Sequence, residues 1–332
     1  MSNLTIKDIA ELAGVAKSTI SKYLNGGSVS EETKSKIKKV IEENNYEPNA
    51  FAQSLKARRS RFIGVIAPCL DSIVTSRVIM AIDSTLRKNL YNPLILNTSH
   101  NKELEIDNLE SLSRLKVDGI ILVATEVTSR HKEIINKLNI PVLIIGQECN
   151  GVKSIINDDY NAGAAIGEYV ASLGHEKILY LGVDEFDISV GVKRKAGIID
   201  KLKEYKVKDV RVEITDFTTK TSEKIAYNVL KNYDPTMVIC ATDNIALGVI
   251  KAMNSLGKRV KEDISLSGFG GYDVSEIITP SLTTIKFHNE EVGNIAANSI
   301  IKMIEREEVP DTQTIGFNLI KGNSIKNMKT RV

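Results

Sequence analysis

The sequence contains no tryptophan, and aromatic residues make up only 5% of it. Any core must therefore be aliphatic, and the 42% hydrophobic content of the 332 residues is enough to build one. No uninterrupted apolar run approaches the roughly 18 residues that a bilayer span requires, so no membrane partner is expected. The N-terminus lacks an apolar signal core and passes directly into an amphipathic pattern from Thr5, which predicts a cytoplasmic protein. Cysteine is scarce: Cys69, Cys149 and Cys240 are odd in number and widely spaced. That pattern suits reduced thiols in apolar surroundings and offers no metal-ligand spacing. The four histidines (His100, His131, His175, His288) stand in unrelated contexts, with His175 in a Gly-His turn of structural character. Neither a P-loop nor a glycine fingerprint follows any strand. These absences argue against an enzyme and yield no catalytic residue, no metal site and no cofactor.

What is present is unevenly distributed. Residues 1–61 hold eleven Lys/Arg against seven Asp/Glu, whereas the remainder holds 33 against 35. A basic head on a mildly acidic body points to a polyanionic partner for the head alone, although a solvated helical surface can carry a similar surplus.

Within the head, Thr5 can cap a helix whose apolar positions Ile6, Ile9, Ala10 and Ala13 share one face. Gly14 suits the left-handed residue that ends such a helix. Val15 follows as an apolar plug, and a second helix is expected over about Ala16–Leu24, with Ile20 and Leu24 inward. Two short helices joined at a glycine form a helix-turn-helix. The second turns Lys17, Ser18, Thr19, Ser21 and Lys22 outward, small hydroxyls and amines that fit a major groove. Asn25-Gly26-Gly27 breaks it. Ser30 caps a third helix packed through Ile37, Val40 and Ile41, with Glu31 and Glu32 complementing its dipole. A three-helix scaffold with no DNA role would show the same spacing. After Pro48, Asn49 can cap a run Ala50–Ala57 that is too short to be helical alone.

From Arg61 onward short apolar runs alternate with amphipathic stretches. Strands are expected at Phe62–Ala67, Leu94–Asn97, Gly119–Val123, Val142–Ile145, Lys177–Leu181, Met237–Ala241 and Ile264–Ser267. Helices are expected at Val74–Asn89, Glu103–Leu115, Asn161–Leu173, Lys193–Tyr205, Thr221–Asn232 and Asn244–Leu256. This alternation predicts an α/β body with parallel sheets buried on both faces. A ligand would then lie at the carboxyl ends of the strands, in the loops after Ala67, Val123, Ile145, Leu181, Ala241 and Ser267.

The residues themselves go further than the spacing. Thr5-Ile6-Lys7-Asp8-Ile9-Ala10, Ala13-Gly14-Val15, Ser18–Lys22, Val29–Thr33 and Asn45-Tyr46-Glu47-Pro48-Asn49 closely resemble the lactose-repressor/galactose-repressor family of transcription regulators. So do Val117–Ile121, Leu173-Gly174-His175, Ala241–Gly248 and Pro280–Ile285 in the body. The resemblance implies a helix-turn-helix domain at 1–48, a hinge helix and linker at 49–60, and an effector-binding and dimerisation domain at 61–332. The last would be shaped like a periplasmic sugar-binding protein, crossed three times by the chain, with subdomains at 61–160 plus 290–320 and at 161–288 plus 321–332.

Thr5, Lys17, Ser18, Thr19, Ser21, Lys22, Asn25, Asn49, Ala52 and Leu55 would then contact double-stranded operator DNA. Leu55 matches the wedge that opens a base step in the minor groove. Lys22 stands where the family usually has Arg, which gives up a bidentate fork to guanine, and Ala16 stands where a Ser often caps the recognition helix. Asp71, Ser72, Gln147, Lys193, Arg194, Phe217, Asp243 and Phe269 would bind the effector, with Arg194 forking to its hydroxyls and Phe217 stacking on its ring.

Gly270 removes a carboxylate that many relatives use to grip sugar hydroxyls. Tyr180–Val183, Gly191–Arg194 and Cys240–Asp243 look most like repressors of trehalose and sucrose operons. The trehalose branch takes a phosphorylated disaccharide through an arginine at the position of Cys69. Lys193, Arg194 and Lys195 could attract a phosphate in its place. The implied protein is a homodimeric repressor of a sugar-utilisation operon, released by a sugar or sugar-phosphate effector, most simply a disaccharide. A catabolite-control regulator using a carrier protein or sugar-phosphate co-repressor is the alternative. A free sugar-binding protein would need no basic head, and a sugar-modifying enzyme would need an acid/base pair.

Overall fold

The structure is a computed structural model that describes residues 4–24, 27–44, 46 and 59–329. The chain divides into two compact units, Met1–Arg61 and Phe62–Val332.

The head contains α1 (Ile6–Leu12), α2 (Lys17–Leu24) and α3 (Glu31–Glu43). Thr5 caps α1 in a reciprocal box with Asp8: the Asp8 amide donates to the Thr5 hydroxyl, and the Thr5 amide donates to the Asp8 carboxylate. Gly14 has φ +63°, the left-handed turn expected between the two helices. Ser30 caps α3. Ile9, Ala10, Ile20, Ile37 and Tyr46 form the buried centre, with Val15, Leu24, Val40 and Ile41 packed around it.

The body is built on two six-stranded sheets. The first has the order β11-β5-β4-β3-β1-β2, with β1 Phe62–Ala67, β2 Asn92–Asn97, β3 Gly119–Val123, β4 Val142–Ile145, β5 Lys153–Asn157 and β11 Thr312–Ile315, all parallel. Helices α4 (Ile73–Lys88) and α12 (Asn289–Glu305) cover one face, where Val78, Ile82, Val292, Ala296 and Ile300 meet the strands. Helices α5 (Lys102–Arg114) and α6 (Ser129–Lys137) cover the other, through Leu109, Leu112 and Ile135.

The second sheet has the order β12-β10-β9-β8-β6-β7, with β6 Lys177–Val183, β7 Asp209–Thr215, β8 Met237–Cys240, β9 Ser265–Phe269, β10 Thr283–Phe287 and β12 Phe317–Ile320. It is parallel except for the edge pair β10–β12, which is antiparallel with Ile285 opposite Leu319. Its helices are α7 (Asp159–Ser172), α8 (Lys195–Glu204), α9 (Thr219–Leu230), α10 (Asp243–Ser255) and the short α11 (Asp273–Ile277). A π-helical turn, Ile188–Arg194, precedes α8. The sequence pattern had placed a helix start at Lys193; the wider turn instead begins five residues earlier, under an Asp187 cap. Such turns are rare and concentrate at functional sites.

The chain crosses between the halves near Asp158, near His288 and at Gly316. Residues 317–320, expected in the first subdomain, form β12, whose hydrogen-bonding partner β10 lies in the second. The tail belongs there too, since the Ser324 hydroxyl donates to the Leu266 carbonyl at 2.6 Å.

Candidate functional site

In the head, Lys17, Ser18 and Lys22 are exposed and Thr19 and Ser21 half-buried, so α2 presents the expected polar face while Ile20 anchors its other side. The Thr5 hydroxyl is engaged with Asp8. Asn25, Asn49, Ala52, Leu55 and the expected hinge helix at 49–57 lie outside the described residues.

In the body, the carboxyl ends of both sheets face a cavity of about 840 Å³, well within the range for a small-molecule site. Leu70, Asp71 and Ser72 reach it from the loop after β1, Asn97 and Ser99 from β2, Thr125 from β3 and Asn157 from β5. The second sheet contributes Asp187 and Arg194 after β6, Phe217 after β7, Thr242 after β8, Phe269 and Tyr272 at β9, and Phe287 at β10.

Arg194 is the best-defined group. Its Nε and Nη2 donate to Asp159 Oδ1 at 3.1 and 2.6 Å, and Nη1 donates to the Ala241 carbonyl at 2.6 Å. Its guanidinium carbon lies 4.7 Å from the Phe269 ring centre and 5.3 Å from that of Phe287, close enough for cation–π attraction. Both members of the pair are buried, and burial pushes the Asp159 carboxyl above its ordinary value against the pull of Arg194. The pair depends on close helix packing. A Cβ on Gly163 would stand 2.2 Å from the Arg194 carbonyl oxygen, and one on Gly197 would stand 2.0 Å from that of Tyr160. Only glycine lets α7 approach the π turn and α8 this closely.

Five of the eight expected effector residues line the cavity: Asp71, Ser72, Arg194, Phe217 and Phe269. Three do not. Asp243 is fully buried: Oδ1 accepts from the Thr284 hydroxyl at 2.6 Å, and Oδ2 accepts from the Tyr272 amide at 2.8 Å and the Ser275 hydroxyl at 2.9 Å. It secures the loop that carries Phe269 and Tyr272. Gln147 is buried too, and its Nε2 donates to the Ser189 hydroxyl at 3.2 Å, tying β4 to the π turn. Lys193 donates to Glu148 at 2.9 Å, since one residue of helical rotation turns it off the face that Arg194 presents.

Other cavity residues escaped the sequence reading. The Asn157 Oδ1 is buried without a hydrogen-bond partner among the described residues. Asp187 is buried, its Oδ1 accepting from the Val190 amide at 3.0 Å, and desolvation raises its carboxyl from the ordinary value. Tyr272 occupies the space beside Gly270, where a Cβ would fall 2.4 Å from its ring and φ is +135°. The missing carboxylate at 270 is thus replaced by an aromatic wall, whose hydroxyl burial pushes up to about 12. Burial also raises the Cys69 thiol, so that position offers neither a cation nor a thiolate.

The family model for the periplasmic binding proteins and sugar-binding domain of the LacI family matches residues 60–323, and that for bacterial regulatory proteins of the lacI family matches residues 5–49. The chain belongs to the LacI family. Members are transcription regulators rather than enzymes, and the head is the DNA-binding part of this one. The chain is similar to the sucrose operon repressor of Staphylococcus xylosus, with 40% identity over 305 residues, 92% of this chain and 95% of the relative. It is also similar to the HTH-type transcriptional repressor PurR of Vibrio vulnificus, with 31% identity over 311 residues, 92% and 93% of the two chains. A crystal structure of the lac repressor dimer bound to operator and the anti-inducer ONPF superposes with a TM-score of 0.89 at 25% identity, covering 97% of this chain and 99% of that one. For this LacI-family chain, no helix among the described residues is long and apolar enough to cross a membrane.

Proposed function

We propose that this protein represses a sugar-utilisation operon in the cytoplasm and leaves its operator when a sugar or sugar phosphate fills the cleft of the body. Operator binding uses a homodimer, each head occupying one half of a near-palindromic site. Lys17, Ser18, Thr19, Ser21 and Lys22 meet the major groove, and Thr5, Asn25, Asn49, Ala52 and Leu55 extend the contact. Asp71, Ser72, Arg194, Phe217 and Phe269 hold the effector. The observation that carries the reading is the Arg194 guanidinium held by Asp159 beside the Phe269 and Phe287 rings, inside a cleft lined by side-chain hydroxyls, amides and carboxylates. Aromatic faces take the apolar face of a sugar ring, and the remaining Arg194 N–H groups and the acceptors take its hydroxyls. The sucrose operon repressor at 40% identity supports the sugar assignment.

Side chains from both halves of the body meet across this cleft: Arg77 donates to Asp273 at 2.8 Å, and Gln147 donates to Ser189. A ligand that binds one arrangement of the halves better than another shifts the population towards it, and operator affinity follows by linkage. To test the assignment, duplexes are selected from a randomised library on the full-length protein. Fluorescence anisotropy with the winner is then recorded with and without sucrose, trehalose, glucose, fructose and their 6-phosphates. Sequence-specific binding weakened by at least one compound is expected. Only weak, salt-sensitive binding with no preferred sequence would overturn the assignment.

A further inference from the structure

The run Lys193-Arg194-Lys195 places three cations in a row beside the cleft, the kind of cluster that a phosphate monoester needs. Such an ester carries between one and two negative charges near neutral pH and is held by convergent Arg and Lys donors. The fold disperses the three. Lys193 reaches away to Glu148 and Lys195 to Glu185, each at 2.9 Å, and neither lines the cavity. Arg194 stays in the wall, but its charge is already matched by the buried Asp159 carboxylate at 2.6 Å. Three of its five N–H groups are committed to Asp159 and Ala241. Among the described residues the lining contains no lysine, and Arg194 is its one arginine, whereas Asp71 and Asp187 both face the cavity. The buried Asn157 Oδ1 adds an acceptor without a donor.

We propose that the effector is an uncharged, hydroxyl-rich sugar of up to disaccharide size, and that the cleft discriminates against its phosphate esters. Carboxylates and a bare amide oxygen accept hydrogen bonds from sugar hydroxyls, whereas a phosphate donates none at its dianionic oxygens and meets like charge. The two N–H groups that remain on Arg194 suit neutral hydroxyl acceptors. This rests on the sugar-cleft reading above and selects the chemical form that the cleft takes.

Isothermal titration calorimetry on the full-length protein tests it with matched pairs: sucrose, trehalose, glucose and fructose, each against its 6-phosphate. At least one parent sugar is expected to bind, with its ester roughly tenfold weaker or worse, in line with the cost of like-charge juxtaposition. The Lys193→Ala/Lys195→Ala variant is expected to hold the parent sugar within about threefold of the unaltered protein, because exposed ion pairs of this kind contribute little. An ester that binds as tightly as its parent, or an ester whose binding collapses in that variant, overturns the proposal and leaves the sugar cleft standing. If no member of any pair binds, the sugar cleft falls, and this inference with it.

Discussion

Asp159→Ala is the sharpest perturbation of the cleft. In the intact protein the carboxylate and the Arg194 guanidinium keep only 4% and 8% of their side-chain surface in contact with solvent. Removing the carboxylate leaves a buried cation with one carbonyl and two aromatic faces for company. Breaking a buried pair in this way costs about 3–5 kcal/mol, because the remaining charge stays desolvated without compensation. For a domain of this size each kcal/mol moves Tm by roughly 2–4 °C, so the variant should melt roughly 6–20 °C lower. Asp159→Ala/Arg194→Met removes both charges and should recover a good part of that loss. Thermal unfolding of the intact protein, Asp159→Ala, Arg194→Met and the double variant, followed by circular dichroism, gives the coupling as a double-mutant cycle. A single variant that costs less than about 1 kcal/mol, or a double variant whose loss is the plain sum of the two, would show that the pair does not hold the wall together.

Two further outcomes follow from nearby packing and titration. Gly197→Ala puts a methyl carbon 2.0 Å from the Tyr160 carbonyl oxygen. The α7–α8 contact must open, at about 1–3 kcal/mol, and effector affinity should fall as Arg194 parts from Asp159; an unchanged urea midpoint refutes this. His175 is buried, with Nε2 donating to the Lys326 carbonyl, and burial holds its imidazole below the ordinary value of 6.5. The unfolded chain therefore takes up that proton first. The contribution is fully present above about pH 6.5 and is lost as pH falls towards the folded value. His175→Gln should flatten the acid limb of the stability curve between pH 7 and pH 5, measured by urea denaturation.

Parts of this molecule were plain in the sequence because single signals decided them. Gly119–Val123 and Val142–Ile145 are central strands, and an apolar run fills each from end to end. Thr5, Gly14 and Ser30 fixed the helix ends of the head through cap and turn chemistry. Three of the four edge strands gave no such signal. Asp209–Thr215 lies at the sheet margin and alternates with charged residues, and Thr312–Ile315 and Phe317–Ile320 are four residues each. A short polar stretch carries too little hydrophobic pattern to stand out from a loop.

The cleft shows the same division. Arg194, Phe217 and Phe269 were legible from the resemblance, and Asp71 and Ser72 from their place after the first strand. Asn157 was not, because its strand had gone unrecognised, although the rule about carboxyl strand ends would have found it. Lys193 and Asp243 are sequence neighbours of true lining positions, and Gln147 follows the carboxyl end of β4. Where their side chains go is set by neighbours distant in the chain: Ser189, Glu148 and Thr284.

The three crossings between the halves also bear on how the protein is made. The first core needs Val292, Ala296, Ile300 and Ile315 against strands that begin at Phe62. While a ribosome is still reading the codons before residue 289, one face of that sheet is covered by α4 alone and the sheet lacks its last edge strand. Neither half can mature ahead of the other, and a message truncated at the β10–α12 junction leaves the first core open. The cleft therefore comes into being only when almost the whole chain has been synthesised, so a partial product cannot compete for the effector.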